Sequence, residues 1–279
     1  MTEIKLAVQD LCVEFRNAGK TSLAVRDVSF TLGREKLAIV GESGSGKSTV
    51  GRSLLRLHPP TAKVTAKTLR FADIDLLKAS DKQIQAIRGA RMSMIMQDPK
   101  YSLNPVVRVG EQIAEAYLAH HKVSHREARE RALDMLAKVH IRDPRRVFDL
   151  YPHEVSGGMG QRIMIAMMVI TDPQVIIADE PTSALDVSVR RQVLNVLDEL
   201  VSERDLGLIF ISHDLNLVRN FCDRVLVMYA GRVVESIAAT DLDHATHPYT
   251  QGLLAALPSL DHPRATLPVL QRDPHWLNA

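Results

Sequence analysis

The sequence predicts an α/β fold with a mainly parallel core sheet, an N-terminal antiparallel β-subdomain and a helical subdomain. Three observations carry this. Short apolar runs at Leu37–Val40, Met92–Met96, Val175–Ala178 and Leu208–Ile211 stop abruptly at polar or glycine residues. Runs of that length without polar alternation suit parallel strands buried on both faces. Upstream, Ile4–Phe15 and Val25–Phe30 alternate more and flank a turn-like Asn17–Gly19, as antiparallel strands do. Between Gln97 and about Arg162 the apolar period becomes helical.

In chain order, the run Leu37–Val40 is followed by a glycine loop and then by a helical stretch, Val50–Leu57. Gly110–His120 and Ser124–Val139 read as helices. Ser124 and Glu127 have capping-box spacing, and Ala128, Ala132, Leu136 and Val139 follow on one face. Arg142, Arg145 and Arg146 around Pro144 read as a solvated turn. Arg224–Tyr229 and Arg232–Glu235, joined by Ala230–Gly231, read as a hairpin. Beyond Ser236 the chain is richer in His, Pro and Asp. The expected organisation is a main domain over 1–240, its helical subdomain at about 98–165, and a C-terminal tail over 241–279.

Composition narrows the class. The 279 residues are 46% hydrophobic and 24% charged, with a formal net charge of +2. That is ordinary for a globular chain, and without a basic block it gives no footprint for nucleic acid. The two cysteines, Cys12 and Cys222, lie far apart and form no C-x-x-C pair, so reduced thiols are expected. Residues 1–10 lack an apolar core of signal-peptide length. The longest apolar run, Ile163–Ile170, is far short of the roughly 20 residues that span a bilayer. A cytosolic chain that meets a membrane only through a partner is expected.

The chemistry begins at Gly41-Glu42-Ser43-Gly44-Ser45-Gly46-Lys47-Ser48-Thr49, which fits G-x-x-x-x-G-K-[ST]. Cradling a polyphosphate requires several backbone N–H groups turned toward one anion, which glycines permit. A helix opening near Gly46 adds its positive end, Lys47 a point charge for β- and γ-phosphates, and Ser48 a hydroxyl suited to Mg²⁺. A chance match in a glycine-rich turn is the plain alternative; the strand before and helix after the loop speak against it. The second element is Asp179-Glu180 after the apolar run Val175–Ala178. A carboxylate there is costly unless a cation compensates, and Mg²⁺ at Asp179 with Glu180 facing the attacking water satisfies that demand. A solvated turn acid before Pro181 is the other reading.

With Ser156-Gly157-Gly158-Met159-Gly160-Gln161 preceding the acidic strand, the chain resembles the ATP-binding cassette of ABC transporters. The resemblance implies a P-loop cassette that binds ATP and Mg²⁺ and hydrolyses ATP. It assigns Gln97 to the Q-loop, at Mg²⁺ and the lytic water. It assigns Ser183 to Asp186 to the D-loop, crossing to the other subunit, and His213 to the switch at the γ-phosphate. Ser156, Gly157 and Gly158 would meet nucleotide held by the partner. Phe15 is either the aromatic that stacks on adenine or a core residue of a strand.

Finer features, Gln97–Pro105, Tyr151-Pro152-His153-Glu154 and His247-Pro248-Tyr249-Thr250-Gln251-Gly252, resemble the dipeptide, oligopeptide and nickel importer branch. Met159 is similar to one of that branch's two ATPase types. Gly160 stands where the branch often has arginine, and the tail has no cysteine for the iron–sulfur cluster some members carry. The resemblance implies a second ATP-binding subunit in a heterodimer, two integral membrane permease subunits and, indirectly, an extracytoplasmic solute-binding protein. It implies a peripheral place on the cytoplasmic face of the inner membrane. The competing reading is a cassette docked on a soluble enzyme complex such as carbon–phosphorus lyase. Chromosome and repair cassettes need a long coiled coil that the short insert cannot supply.

Overall fold

The structure is a computed structural model that describes residues 4–17, 20–183, 185–257, 270, 273 and 276. Ala18 and Gly19 of the expected first turn, Ala184 of the expected D-loop and most of 258–279 in the expected tail lie outside the described residues.

The strands and helices follow in chain order. They begin with β1 (Leu6–Asn17), β2 (Lys20–Leu32), β3 (Lys36–Val40), α1 (Lys47–Leu54), β4 (Ala62–Thr65), β5 (Thr68–Phe71) and β6 (Ile74–Asp75). Next are α2 (Asp81–Ile87), β7 (Met92–Ile95), α3 (Val109–Leu118), α4 (His125–Lys138), α5 (Pro144–Phe148) and α6 (Gly157–Val169). The chain continues through β8 (Val175–Asp179), α7 (Val187–Glu203) and β9 (Gly207–Ser212). It ends with α8 (Leu215–Phe221), β10 (Arg224–Tyr229), β11 (Arg232–Ala238) and α9 (Pro248–Ala255).

Two compact units emerge: Met1–Lys78 with Phe210–Ala279, and Ala79–Ile209. In the first, an antiparallel sheet runs β2-β1-β5-β6, with β4 also on β1. Its register places Leu6 opposite Leu32 and Phe71, all three fully buried. The expected strands Ile4–Phe15 and Val25–Phe30 are β1 and β2, antiparallel as the alternation implies. The same unit pairs β3 with β10 in parallel and β10 with β11 antiparallel, the expected hairpin. Leu37, Ala38, Ile39 and Val40 are at most 1% exposed, so this strand is buried on both faces.

In the second unit β7 and β8 pair in parallel, Ile95 opposite Ala178. Here α3, α4, α5 and α6 pack on one another, and α6 also packs on β7 and α7. Helix α4 buries Ala128, Ala132 and Leu136, with Val139 at its end, as the spacing requires. Ser124 caps it by accepting from Glu127 N–H at 3.2 Å. Of the arginines expected on a turn around Pro144, Arg145 and Arg146 lie on the short α5, and Arg142 lies on the bend before it. Asp143 accepts from Arg146 N–H at 3.2 Å, Pro144 pre-sets the first helical dihedral, and Val147 and Phe148 are buried.

Candidate functional site

The first unit carries the glycine loop. Strand β3 delivers Val40 to Gly41, and α1 starts at Lys47 with Gly46 in the left-handed region at φ 99°. No side chain caps this helix, so its first-turn N–H groups present the end's positive partial charge toward the loop. A methyl on Gly46 would stand 2.5 Å from Ala24 C=O, and one on Gly41 2.2 Å from Met228 C=O. A methyl at Gly44 would meet nothing within 4 Å, so the cradle is tight at both ends and open in the middle. Ser45 Oγ is buried with no hydrogen-bond partner among the described residues. Lys47 is 5% exposed, and its ammonium donates to Gly41 C=O and Glu42 C=O, each at 2.8 Å. Ser43 is exposed; Ser48 and Thr49 are half-buried in the first helical turn. These residues fit a polyphosphate: uncapped helix N–H groups, a buried cation and a backbone close-packed at Gly41 and Gly46.

The same unit holds Phe15 and His213. Phe15 is half-buried on β1, its ring edge-on to His58 with centroids 5.7 Å apart. His58 is held in turn by Ser53 Oγ at 2.9 Å, and burial pushes its ring pKa down. His213 is exposed beyond β9, where Asp214 N–H donates to Ser212 Oγ at 3.0 Å and Asp214 caps α8.

The second unit gathers the acidic pair, Gln97 and the Ser-Gly-Gly segment. Asp179 ends β8 at 6% exposure. Glu180 follows at φ 47°, a left-handed conformation unusual for a non-glycine residue. Gln97 Nε2 donates to Glu180 Oε2 at 3.4 Å and to Ser183 Oγ at 3.2 Å, while Ser183 Oγ donates to Glu180 C=O at 3.1 Å. Gln97 thus meets Glu180 and Ser183, 83 and 86 positions away in sequence, beyond the carboxyl end of β8, where open α/β sheets place ligands.

Ser156 caps α6 by accepting from Met159 N–H at 3.4 Å. Gly157 has nothing within 4 Å of its would-be methyl, and Gly158 abuts Val189 of α7. Gly160 faces Pro99 at ordinary contact distance. Asp186 caps α7, accepting from Ser188 N–H and Val189 N–H at 3.0 Å each and from Ser188 Oγ at 2.7 Å. The Val189 N–H, then the Ser188 hydroxyl, hold its carboxyl below the usual carboxylate range.

Two side chains at these sites make contacts that the sequence reading does not assign. His58 braces Phe15, and nothing in its sequence context marks it. Tyr249 accepts a hydrogen bond from Glu42 N–H in the glycine loop at 3.1 Å. The signal for Tyr249 was present in the His247–Gly252 run, though not its target.

A buried strand feeding a glycine loop and an uncapped helix defines a P-loop nucleotide-binding protein of the α/β class. A family model described as ABC transporter matches residues 25–183. The chain is 47% identical over 272 residues to the dipeptide transport ATP-binding protein DppD of Bacillus subtilis (strain 168), covering 96% of this chain and 81% of that one. It is 44% identical over 259 residues to the oligopeptide transport ATP-binding protein OppD of the same organism, covering 92% and 72%. Among solved structures, the dimeric post-hydrolysis state of the ATP-binding cassette MJ0796 bound to ADP and Pi matches with a TM-score of 0.75 at 25% identity, over 84% of this chain and 98% of that one. The chain belongs to the ABC transporter family, as a cassette that binds and hydrolyses ATP. Among the described residues no helix is long and apolar enough to cross a membrane.

Proposed function

We propose that this chain is the ATP-hydrolysing subunit of a bacterial importer for short peptides or related small solutes such as nickel or other metal chelates. The observation that carries the hydrolytic role is the bond from Gln97 to Glu180 beyond β8. It supports reading Glu180 as a carboxylate held in one place, as a positioned general base must be. The choice of solute class rests on the likeness to the dipeptide and oligopeptide transport proteins, which also favours an importer over a cassette docked on a soluble enzyme complex.

In this reading the N–H groups of Gly44 to Thr49 and the Lys47 ammonium hold the phosphates, and Phe15 stacks on adenine. Ser48, Gln97 and Asp179 are the Mg²⁺ positions; the ion would neutralise charge developing between the β- and γ-oxygens. Glu180 takes the proton of the attacking water, and His213 contacts the γ-phosphate. Ser156, Gly157 and Gly158 serve the nucleotide of a second ATP-binding subunit, and Asp186 lies at that junction. The pairing is a heterodimer on the cytoplasmic face of the inner membrane, with two permease subunits and an extracytoplasmic solute-binding protein. The helical region, about 98–165, receives the permease: Tyr101 is 90% exposed and Val106 77%, apolar surface that suits a partner helix.

The test is ATP turnover of the assembled complex carrying Glu180→Gln. Loss of at least a hundredfold with ATP binding retained is expected for removal of a general base. Undiminished turnover in a complex whose other ATPase subunit is likewise disabled would sink the assignment.

A further inference from the structure

Helix α9 reaches the glycine loop through Tyr249. The side chain is fully buried, with its ring against Tyr229 at a centroid distance of 4.6 Å and against Trp276 at 5.7 Å. Its hydroxyl accepts from Glu42 N–H at 3.1 Å. That N–H belongs to the peptide unit joining Gly41 to Glu42. The carbonyl of the same unit, Gly41 C=O, accepts from the Lys47 ammonium at 2.8 Å. One rigid peptide plane is therefore held at one end by Tyr249 and in turn holds Lys47 at the other. Rotating that plane breaks both bonds.

The sequence around Tyr249 is built to present it. Glu235 on β11 accepts from Thr246 N–H at 2.7 Å, Thr246 Oγ1 at 3.1 Å and His247 N–H at 3.3 Å, which pins the entry to α9. His247 Nδ1 caps the helix by accepting from Tyr249 N–H at 3.2 Å, and Pro248 occupies the first turn. The His-Pro-Tyr run thus consists of a cap, a helix starter and the residue delivered to the loop.

We propose that Tyr249 is a positioning residue for nucleotide binding: it fixes the Gly41–Glu42 peptide and, through it, the place of the Lys47 ammonium. The inference rests on reading Lys47 as the phosphate-binding cation. Glu42 C=O gives Lys47 a second anchor at 2.8 Å, so loss of Tyr249's hydroxyl weakens the arrangement without abolishing it.

The experiment is a double-mutant cycle on the full chain, with MgATP affinity taken from the nucleotide-induced rise in melting temperature at ATP up to millimolar levels. Tyr249→Phe keeps the ring packing and removes the hydroxyl. It is expected to weaken ATP binding about three- to tenfold, the range for one net hydrogen bond. In a Lys47→Ala background the same substitution should change affinity less than about twofold, because Tyr249 acts through Lys47. ATP affinity within twofold of the unmodified chain overturns the proposal, as does an effect of equal size in both backgrounds, the mark of a general structural role. Lys47→Ala binding ATP as well as the unmodified chain is a separate result and overturns the phosphate-loop reading itself.

Discussion

Gly158 sits so close to Val189 that a methyl at position 158 would lie 2.3 Å from Val189 Cγ1. The Ser-Gly-Gly segment opening α6 and the first turn of α7 therefore share one packed contact, with Val189 itself fixed by the Asp186 cap. Gly158→Ala should cost about 1–3 kcal/mol by overpacking. Gly157→Ala, with nothing within 4 Å, should leave stability nearly unchanged. Thermal melting of the two variants decides: equal melting temperatures would contradict the packing.

The glycine loop offers a second paired comparison. Gly44 and Gly46 both have left-handed dihedrals, φ 81° and 99°, but only Gly46 faces a backbone oxygen. Gly44→Ala should carry the dihedral strain alone, about 1–2 kcal/mol. Gly46→Ala adds a clash with Ala24 C=O at 2.5 Å, which no rotamer change relieves. It should be the more destabilised and lose more ATP affinity, as read by calorimetric titration of both variants. The reverse ranking would show that the loop is not held as described.

The sequence exposed what local chemistry dictates. Leu37–Val40 and Val175–Ala178 were legible because a strand buried on both faces has no polar positions. Helix α4 was legible because one face is wholly apolar. By contrast β4 alternates half-buried with exposed over only Ala62–Thr65, too short a pattern to stand out. Helix α2 has the signature used for α4, with Ser80 and Gln83 forming a full capping box, and its signal was available. Helix α7 likewise buries Val193, Val196, Leu197 and Leu200 at helical spacing. In the candidate site, residue types and motif order were legible from Gly41 to His213. The pairing of Glu42 with Tyr249 was not, because 207 positions separate them and no local period encodes a contact made through tertiary packing.

The two thiols should differ in reactivity. Burial pushes Cys222 up to about 12, so at pH 8 it is held as the thiol rather than the thiolate, the reactive form. Burial also raises Cys12, but that residue is half-exposed on β1, its Sγ 3.2 Å from Asp27 Oδ1. Iodoacetamide at pH 8 should alkylate Cys12 slowly and Cys222 only after denaturant is added, as followed by peptide mass spectrometry. Equal labelling of both in the folded chain would refute the buried placement of Cys222.

Phe148 is the pin of the helical cluster. Its ring is fully buried, lying against Gly110 of α3 so closely that a methyl there would be 2.1 Å from the ring carbons. On its other side the Arg129 guanidinium of α4 sits 3.9 Å from the ring centroid. One side chain from α5 thus fills the space between α3 and α4 and needs glycine at 110 to do so. Phe148→Ala should cost about 3–5 kcal/mol through lost burial and the cavity left behind. Arg129→Leu removes the cation over the ring and should cost about 0.5–1 kcal/mol for a pair at this partly exposed arginine. Gly110→Ala drives a methyl into the buried ring and should cost about 1–3 kcal/mol by overpacking. Denaturant midpoints of the three variants give the ranking. Gly110→Ala that melts like the unmodified chain would mean that the ring does not lie on α3.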